Sequence, residues 1–480
     1  MLTISKKRRS AEQIIATLYL YLLPVRMISQ LSWFASMLRG AGIYFDVILH
    51  GLGVVLYVLT RGGQIPTGRG RSSGLMQYTG FAILALNCSS VIMACIMQAI
   101  YGDQGNESAF DGILGMLIYF TQYFLIFWYN REVFRMIGKE ALLKILHRLC
   151  AALLILGWWQ YLIMNVGGFF ATVYDRLNIF GIVNPSRQLP KLCLTGSEGA
   201  GAGTLLAIFI LPILFSRILT EPAGKRRIYI FQVIAWLPPL YMTRSSTAYI
   251  LATVSFAVFF FYLLRKRKNP AMLIVVSLVF LFVFVLLLFP DTVLEWFPED
   301  IREQISYLLL EKATDLSNGS TVSRTVPLIV NWGAFSEYPI LGVGNGLQGY
   351  FYPKYFPDWA YHVAGSDVLV FLERSKTGLS NGGVFFPGFL SGYGLLGICL
   401  LAGYILKSHE LVQNAKEELG PFYYVYKIAV WAILFSGFQG DFYGTYYLWF
   451  ILSIPFMVGI YDFRTHEPEP ASLQEGVSHE

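Results

Sequence analysis

The side chains with the types and positions to do chemistry are four cations, Arg187, Lys191, Arg244 and Arg324, and two groups able to take a proton, Glu198 and His362. Fixed guanidinium and ammonium groups hold phosphate oxygens, and arginine grips two oxygens at once. A neutral imidazole or a carboxylate can accept a hydroxyl proton as a general base. Together they suit transfer from a diphosphate. Each residue also has a plainer reading. Arg244, in MTRSSTAY, stands between two apolar runs with almost no loop. It is either a functional cation at a membrane boundary or an arginine whose head reaches for water from a helix end. The stretch YDRLNIFGIVNPSRQLPKLCLTGSEGAGAG brings Arg176, Arg187, Lys191 and Glu198 to one side of the membrane. Its glycine-rich end suits either an anion at a helix start or close helix packing. Arg324, in TVSRTVPLIVNW, serves either an anion or an ion pair with Glu337 or a neighbour. His362 is flanked by Trp359 and Tyr361, so it is open to a role as base or as part of a surface on which a sugar stacks. Arg374 and Lys376 read as a solvated face.

Other chemistries lack their residues. There is no paired-aspartate DxD, phosphate-binding GxxxxGK loop, GxSxG elbow or HExxH helix. Nucleotide-sugar and ATP chemistry therefore have no visible site. Five cysteines without CxxC spacing imply neither a zinc site nor a disulfide framework. No metal and no cofactor is expected, and nothing suggests a nucleic-acid partner. An enzyme outside the cytoplasm needs a substrate already energised and delivered in the membrane. A lipid diphosphate fits: its phosphates suit arginines and its tail suits a groove between helices.

The elements that position these groups follow from composition. Of 480 residues, 55% are apolar, 16% aromatic and only 14% charged, against about 25% charged in soluble domains. Mean hydropathy is +0.54. A polytopic membrane protein is left. Spanning helices need about 20 apolar residues. Twelve candidates lie near 12–34, 42–60, 75–100, 111–130, 148–167, 200–219, 227–243, 246–264, 271–290, 384–406, 422–439 and 444–462. With the N-terminus in the cytoplasm, the clusters Lys6–Arg9, Arg131–Arg148, Lys225–Arg227 and Arg265–Lys268 all fall inside. The even count returns the C-terminus there. The expected layout is an all-α polytopic membrane protein, with spans one to nine in 1–290, a large helical outer cap loop at 291–383, spans ten to twelve in 384–463 and a cytoplasmic tail at 464–480. No internal repeat is visible, which weighs against inverted-repeat transporters.

Three segments resemble the O-antigen polymerase and O-antigen ligase superfamily. KLCLTGSEGAGAGTLLAIFILP is similar to that family's basic-x-x-x-Thr/Ser-Gly-x-Glu-Pro-Ser helix entry, with Lys191 where an arginine is common and Gly199 in place of the proline. YMTRSSTAYIL resembles its Thr-x-Ser-Arg-Gly helix start, with the arginine placed earlier, as Arg244. SRTVPLIVNWGAFSEYPILGVGNG, residues 323–346, has its Ser-Arg, Trp, Pro and Gly-x-Gly order. LSNGGVFFPGFLSGYGLLG follows, with Ser380-Asn381 at the family's His-Asn position. The ligase branch places a catalytic histidine in the outer loop. Here the motif histidine is absent and His362 lies upstream, which favours the polymerase branch or a base from elsewhere.

The resemblance implies a GT-C-like, metal-independent glycosyltransferase of the bacterial cytoplasmic membrane. It would join undecaprenyl-diphosphate-linked oligosaccharide units on the outer face into O-antigen, capsule or a similar polysaccharide. The expected roles are His362 and Glu198 as candidate catalytic groups, and Arg244, Arg324, Lys191 and Arg187 on the diphosphate. Trp359, Tyr361 and Asn381 would meet the acceptor sugar. Expected partners are the lipid-linked oligosaccharide, membrane lipids, and a chain-length regulator and flippase of the same pathway. Two rivals stay open. One is a ligase that passes the glycan to lipid A core or protein. The other is a flippase, which should spread charges through the bundle; Arg26, Asp46 and His50 are the main buried candidates.

Overall fold

A computed structural model describes residues 11–25, 70–103, 107–178, 183–189, 191–196, 198–267, 319–363, 384–438 and 445–460, with isolated positions at 53–55, 58–59, 298–299, 302 and 440. Its long elements are all helical. In chain order they are α1 (Ala11–Leu22), α2 (Ser73–Tyr101), α3 (Ala109–Ile137), α4 (Lys139–Asn165) and α5 (Phe169–Leu177). Next comes α6, which runs Gly199–Thr220 with a π turn at Leu206–Ile210. Then follow α7 (Ala223–Ala235), α8 (Leu237–Met242), α9 (Ser246–Arg267), α10 (Gly319–Glu337), α11 (Phe385–Asn414), α12 (Pro421–Ser436) and α13 (Tyr446–Leu452). Among the described residues six helices, α2, α3, α4, α6, α9 and α11, are long and apolar enough to cross a membrane. The chain is thus a multi-pass, all-helical membrane protein. The expected span 271–290 and residues 364–383, Asn381 included, lie outside the described residues, as do residues 26–34 of the span 12–34 and most of the span 42–60.

Two expected spans are broken. The run 227–243 splits at Trp236 into α7 and α8, because Pro238 and Pro239 have no N–H to continue a ladder. The run 444–462 holds only α13 and a 3-10 turn at Ile454–Met457. The expected 148–167 span starts earlier, at Lys139, after Gly138 turns the chain with a φ of 77°. Local chemistry sets other ends. The Ser108 hydroxyl accepts from Asp111 N while the Asp111 carboxylate accepts from Ser108 N, closing a capping box at the start of α3.

The central element is α6. Inside the protein, 89% of its apolar window is buried, against 28–44% for the other five. Pro212 cannot donate to the preceding turn, and the helix widens into the π turn just before it. The buried Ser255 hydroxyl of α9 donates to the Ala207 carbonyl inside that turn at 2.7 Å. Glycines let α6 and α9 touch at the other end. A Cβ on Gly203 would fall 2.1 Å from Ala248 Cβ.

Residues 319–363 cover one end of the bundle, here termed the cap end. Val322, Val326, Val330 and Ala334 of α10 share a core with Met93, Ala94 and Met97 of α2 and Ala109 and Ile113 of α3. The chain then crosses α11, which is broken at Gly394 (φ 58°, ψ −153°). Four backbone bonds tie the break to the crossing strand of chain. Leu395 N and Leu396 N donate to Pro339 O (2.8 Å) and Ile340 O (3.1 Å), while Val343 N and Gly344 N donate to Ser391 O (2.8 Å) and Gly392 O (3.0 Å). Gly342 sits at φ 71° with its absent Cβ aimed 2.4 Å from Gly392 C and 2.5 Å from Ser391 O. Gly342→Ala therefore meets both a left-handed backbone and a backbone clash. It should destabilise the purified protein by about 2 kcal/mol or more. Gly201→Ala, in helix with nothing within 4 Å of its Cβ, should change stability by no more than about 1 kcal/mol, and toward stability. Thermal unfolding in detergent checks the pair; equal melting temperatures would refute the role given to Gly342.

Candidate functional site

The loop into α6 is held by Gln160, an amide flanked by apolar and aromatic residues in α4. Its Nε2 donates to Leu194 O (2.9 Å) and Tyr174 OH (2.8 Å), and its Oε1 accepts from Leu194 N (2.8 Å) and Cys193 N (3.2 Å). The side chain is completely buried. Leu192 N donates to Met242 O at 2.9 Å, and the Thr195 hydroxyl to Pro24 O at 2.5 Å. Leu194 takes a φ of 51° to let both sides of the loop bond. The outcome is a rigid strap that leaves Lys191 and Glu198 exposed. Cys193, beneath them, is buried; burial raises its thiol pKa, and the nearby Glu198 carboxylate adds to the rise while Lys191 opposes it. Arg187 is exposed on the short 3-10 turn Ser186–Gln188, whose start the Asp175 carboxylate holds.

The turn between α8 and α9 meets this strap directly. A Cβ on Gly199 would lie 2.1 Å from Thr243 O, so only glycine allows the two backbones to touch. Glu198 and Arg244 are the chain neighbours of those two residues. Arg244 is exposed and holds a φ of 47°, a strained value for a side chain as long as arginine's. Its N–H donates to Tyr241 O at 3.2 Å, which keeps the turn closed.

The third member comes from the cap. Arg324, in the second turn of α10, is half-buried; burial lowers its pKa and the Glu198 carboxylate opposes that shift. A guanidinium does not lose its proton in a protein, so burial raises its demand for an anion. The alternative pairing with Glu337 is not what forms. Glu337 accepts from Lys354 Nζ at 2.9 Å and from Tyr355 OH at 2.6 Å, at the other end of α10. Among the described residues Arg244, Arg324 and Glu198 have no hydrogen-bonded ion pair that closes the cluster.

The structure thus sets Glu198 and Arg244 next to touching stretches of backbone and Glu198 within electrostatic reach of Arg324, with Lys191 on the same strap. It does not tie the aromatic candidates to them. Tyr361 packs on Phe356 (ring centroids 4.5 Å apart), Trp359 packs against the α10 core, and His362 is exposed at the end of the 3-10 turn Asp358–His362. The described residues hold no cluster of histidine, cysteine and carboxylate fit for a metal.

Four buried amides and hydroxyls escaped sequence reasoning. Ser391 Oγ donates to Asn331 Oδ1 (2.6 Å); Gln348 Nε2 donates to Asn345 Oδ1 (3.2 Å) and Gly388 O (3.1 Å). This network locks α10 and the glycine segment to α11. Of these, Asn331 carries the signal that Gln160 carries, an amide among apolar neighbours; Asn345, Gln348 and Ser391 stand in glycine-rich stretches and carry none.

Residues 239–367 match the family model described as O-antigen ligase. No curated protein matches the chain. The match supports the O-antigen ligase and polymerase superfamily, and its span takes in Arg244, Arg324, Trp359, Tyr361 and His362 while Arg187, Lys191, Glu198 and Asn381 lie outside it. Arg244 offers a separation of stability from binding. Arg244→Gly relieves a left-handed backbone and should hold or raise stability, by up to about 1 kcal/mol, while removing the charge. Unfolding temperature and activity should therefore part in this variant; joint loss would make Arg244 a structural residue.

Proposed function

We propose that the chain is an integral-membrane glycosyltransferase that polymerises undecaprenyl-diphosphate-linked oligosaccharide units on the outer face of the cytoplasmic membrane. The observation that supports the reading is a carboxylate, Glu198, within electrostatic reach of Arg324 and one residue from the backbone contact that Arg244 adjoins, at the cap end of an apolar bundle. A lipid diphosphate presents its charge at that level and leaves its tail among the helices. In this reading Arg244 and Arg324 grip the donor diphosphate, with Lys191 and Arg187 adding positive field from the strap. The acceptor hydroxyl gives its proton to a base as its oxygen bonds to the donor's anomeric carbon. The bond from that carbon to the phosphate oxygen breaks, and the diphosphate leaves with the electron pair. Charge stabilisation by fixed cations is the main aid to such a leaving group.

Glu198 and His362 divide the remaining roles. Glu198, within electrostatic reach of Arg324, either takes the proton or orients a guanidinium. His362, with Trp359, Tyr361 and Asn381, is assigned to the acceptor side. The polymerase branch is favoured by Ser380-Asn381 standing where the ligase pattern has His-Asn. The description of the matching family favours a second reading, a ligase using the same donor. The surface glycan of a deletion strain separates them. Single repeats on the cell support the polymerase, long chains stranded on the carrier support the ligase, and units trapped in the cytoplasm would sink both in favour of a flippase.

The assigned roles give a graded expectation. Arg324→Lys keeps a charge but loses the two-pronged grip, and should lower polymerisation by about ten-fold; Arg324→Ala should lower it by about a hundred-fold or more. Glu198→Gln keeps shape and removes charge, and should be as damaging as Arg324→Ala if Glu198 is the base. Glycan length on gels, normalised to folded protein, reads the series. Full-length chains in Glu198→Gln would transfer the base role to His362, and full-length chains in the Arg244→Ala, Arg324→Ala double variant would remove the diphosphate site altogether.

A further inference from the structure

Between Thr325 and Ser336 the cap helix α10 carries no charged residue. Its one strongly polar side chain in that stretch, Asn331, is turned inward and bonded by Ser391. The opposite stripe is apolar and uncovered: Leu328 is 50% exposed, Ile329 37% and Trp332 64%, with Phe335 against Trp332 at 5.7 Å between centroids. A cap standing in water would put charges on that stripe, since an apolar surface costs about 25 cal/mol per Å² left in water. The charges on α10 lie instead at its ends, Arg324 before the stripe and Glu337 after it.

Depth gives the stripe a neighbour. The buried face of α10 packs on Met93 and Met97 of α2, about 6 to 12 Å short of that helix's end at Tyr101 at 1.5 Å per residue. At the same level α2 and α3 expose Ile92 (52%), Ile96 (38%), Phe110 (47%) and Leu114 (55%). These belong to helices apolar enough to cross a membrane, so they face lipid. The uncovered stripe of α10 continues that belt. Trp332 is of the type enriched where hydrocarbon meets headgroups.

We propose that α10 is an interfacial membrane helix, with its Leu328–Ile329–Trp332 face bedded in the lipid at the cap end. The cap is then partly submerged, its polar side marked by Lys354 and Glu337. Arg324, one turn before Leu328, falls at the level of lipid phosphates. This inference does not depend on the reaction assigned above, and its test reads depth.

Spin labels at Leu328→Cys and Trp332→Cys, in a variant whose five cysteines are alanine, are measured in phospholipid vesicles. Collision with oxygen reports lipid, and collision with a water-soluble nickel chelate reports solvent. Ile92→Cys and Lys354→Cys serve as lipid and water references. The oxygen-to-nickel ratio at 328 and 332 should match that at 92 and exceed that at 354 several-fold. A ratio like that at 354 would overturn the proposal, as would shielding from both agents, which means another protein segment covers the stripe. A second measurement keeps the native cysteines: lipids brominated near the headgroup should quench the wild-type protein more than Trp332→Phe. Equal quenching of the two overturns the proposal as well.

Discussion

Within a bilayer a backbone N–H or C=O without a partner costs several kcal/mol, and that cost governs this molecule at Gly394. The break in α11 frees donors on one side and acceptors on the other. Residues 339–344 supply the opposite groups in order, two acceptors and then two donors. The broken helix and the crossing chain are thereby each other's completion. Glycine is required at both faces of the contact, Gly342 and Gly394, because both hold positive φ and both are pressed against backbone. The direction in which α10 leaves this crossing, and hence the place of Arg324, is inherited from it.

A second close approach sets the remaining charges. Gly199 against Thr243 and Gly203 against Ala248 let α6 and the start of α9 lie backbone to backbone. The strap that feeds α6 is held by a buried amide and the turn that feeds α9 is held in strain. Preorganisation of this kind fixes the backbones beside Glu198 and Arg244 without waiting for a ligand to gather them, and the cost is met by packing elsewhere.

Much of this was legible in the chain. The apolar runs located α2, α3, α6, α9 and α11, and the expected helical cap at 291–383 contains α10. MTRSSTAY and TGSEGAGAG were legible as neighbours of a membrane boundary, and the family resemblance joined them. Pro238 and Pro239 were visible as a weak point of the run 227–243, although hydropathy alone does not register the split at Trp236. Two things were hidden. The carboxylate that acts on Arg324 was hidden because Glu198 lies more than a hundred residues away in the chain, whereas Glu337, near in sequence, is drawn off by Lys354. The glycines of GVGNG resemble an anion loop in letters, yet at Gly342 and Gly346 the space beside the backbone is filled by other backbone.

The π turn in α6 has a bearing on how this chain can vary. A regular α-helix advances about 100° per residue, so one extra residue in a turn rephases everything beyond it. The glycine face of α6 that meets α9 and the aromatic face farther along, where Phe215 stacks on Phe259 at 4.1 Å, are set relative to each other by that single added residue. Removing one residue from 206–210 would leave an unbroken, more regular helix of nearly the same composition. It would also rotate Gly203 away from Ala248 by about a quarter turn relative to the aromatic face. Hydropathy would record no change, but the two halves of the protein would no longer share one angular register, and a gap at that place in an otherwise similar chain marks a differently assembled site.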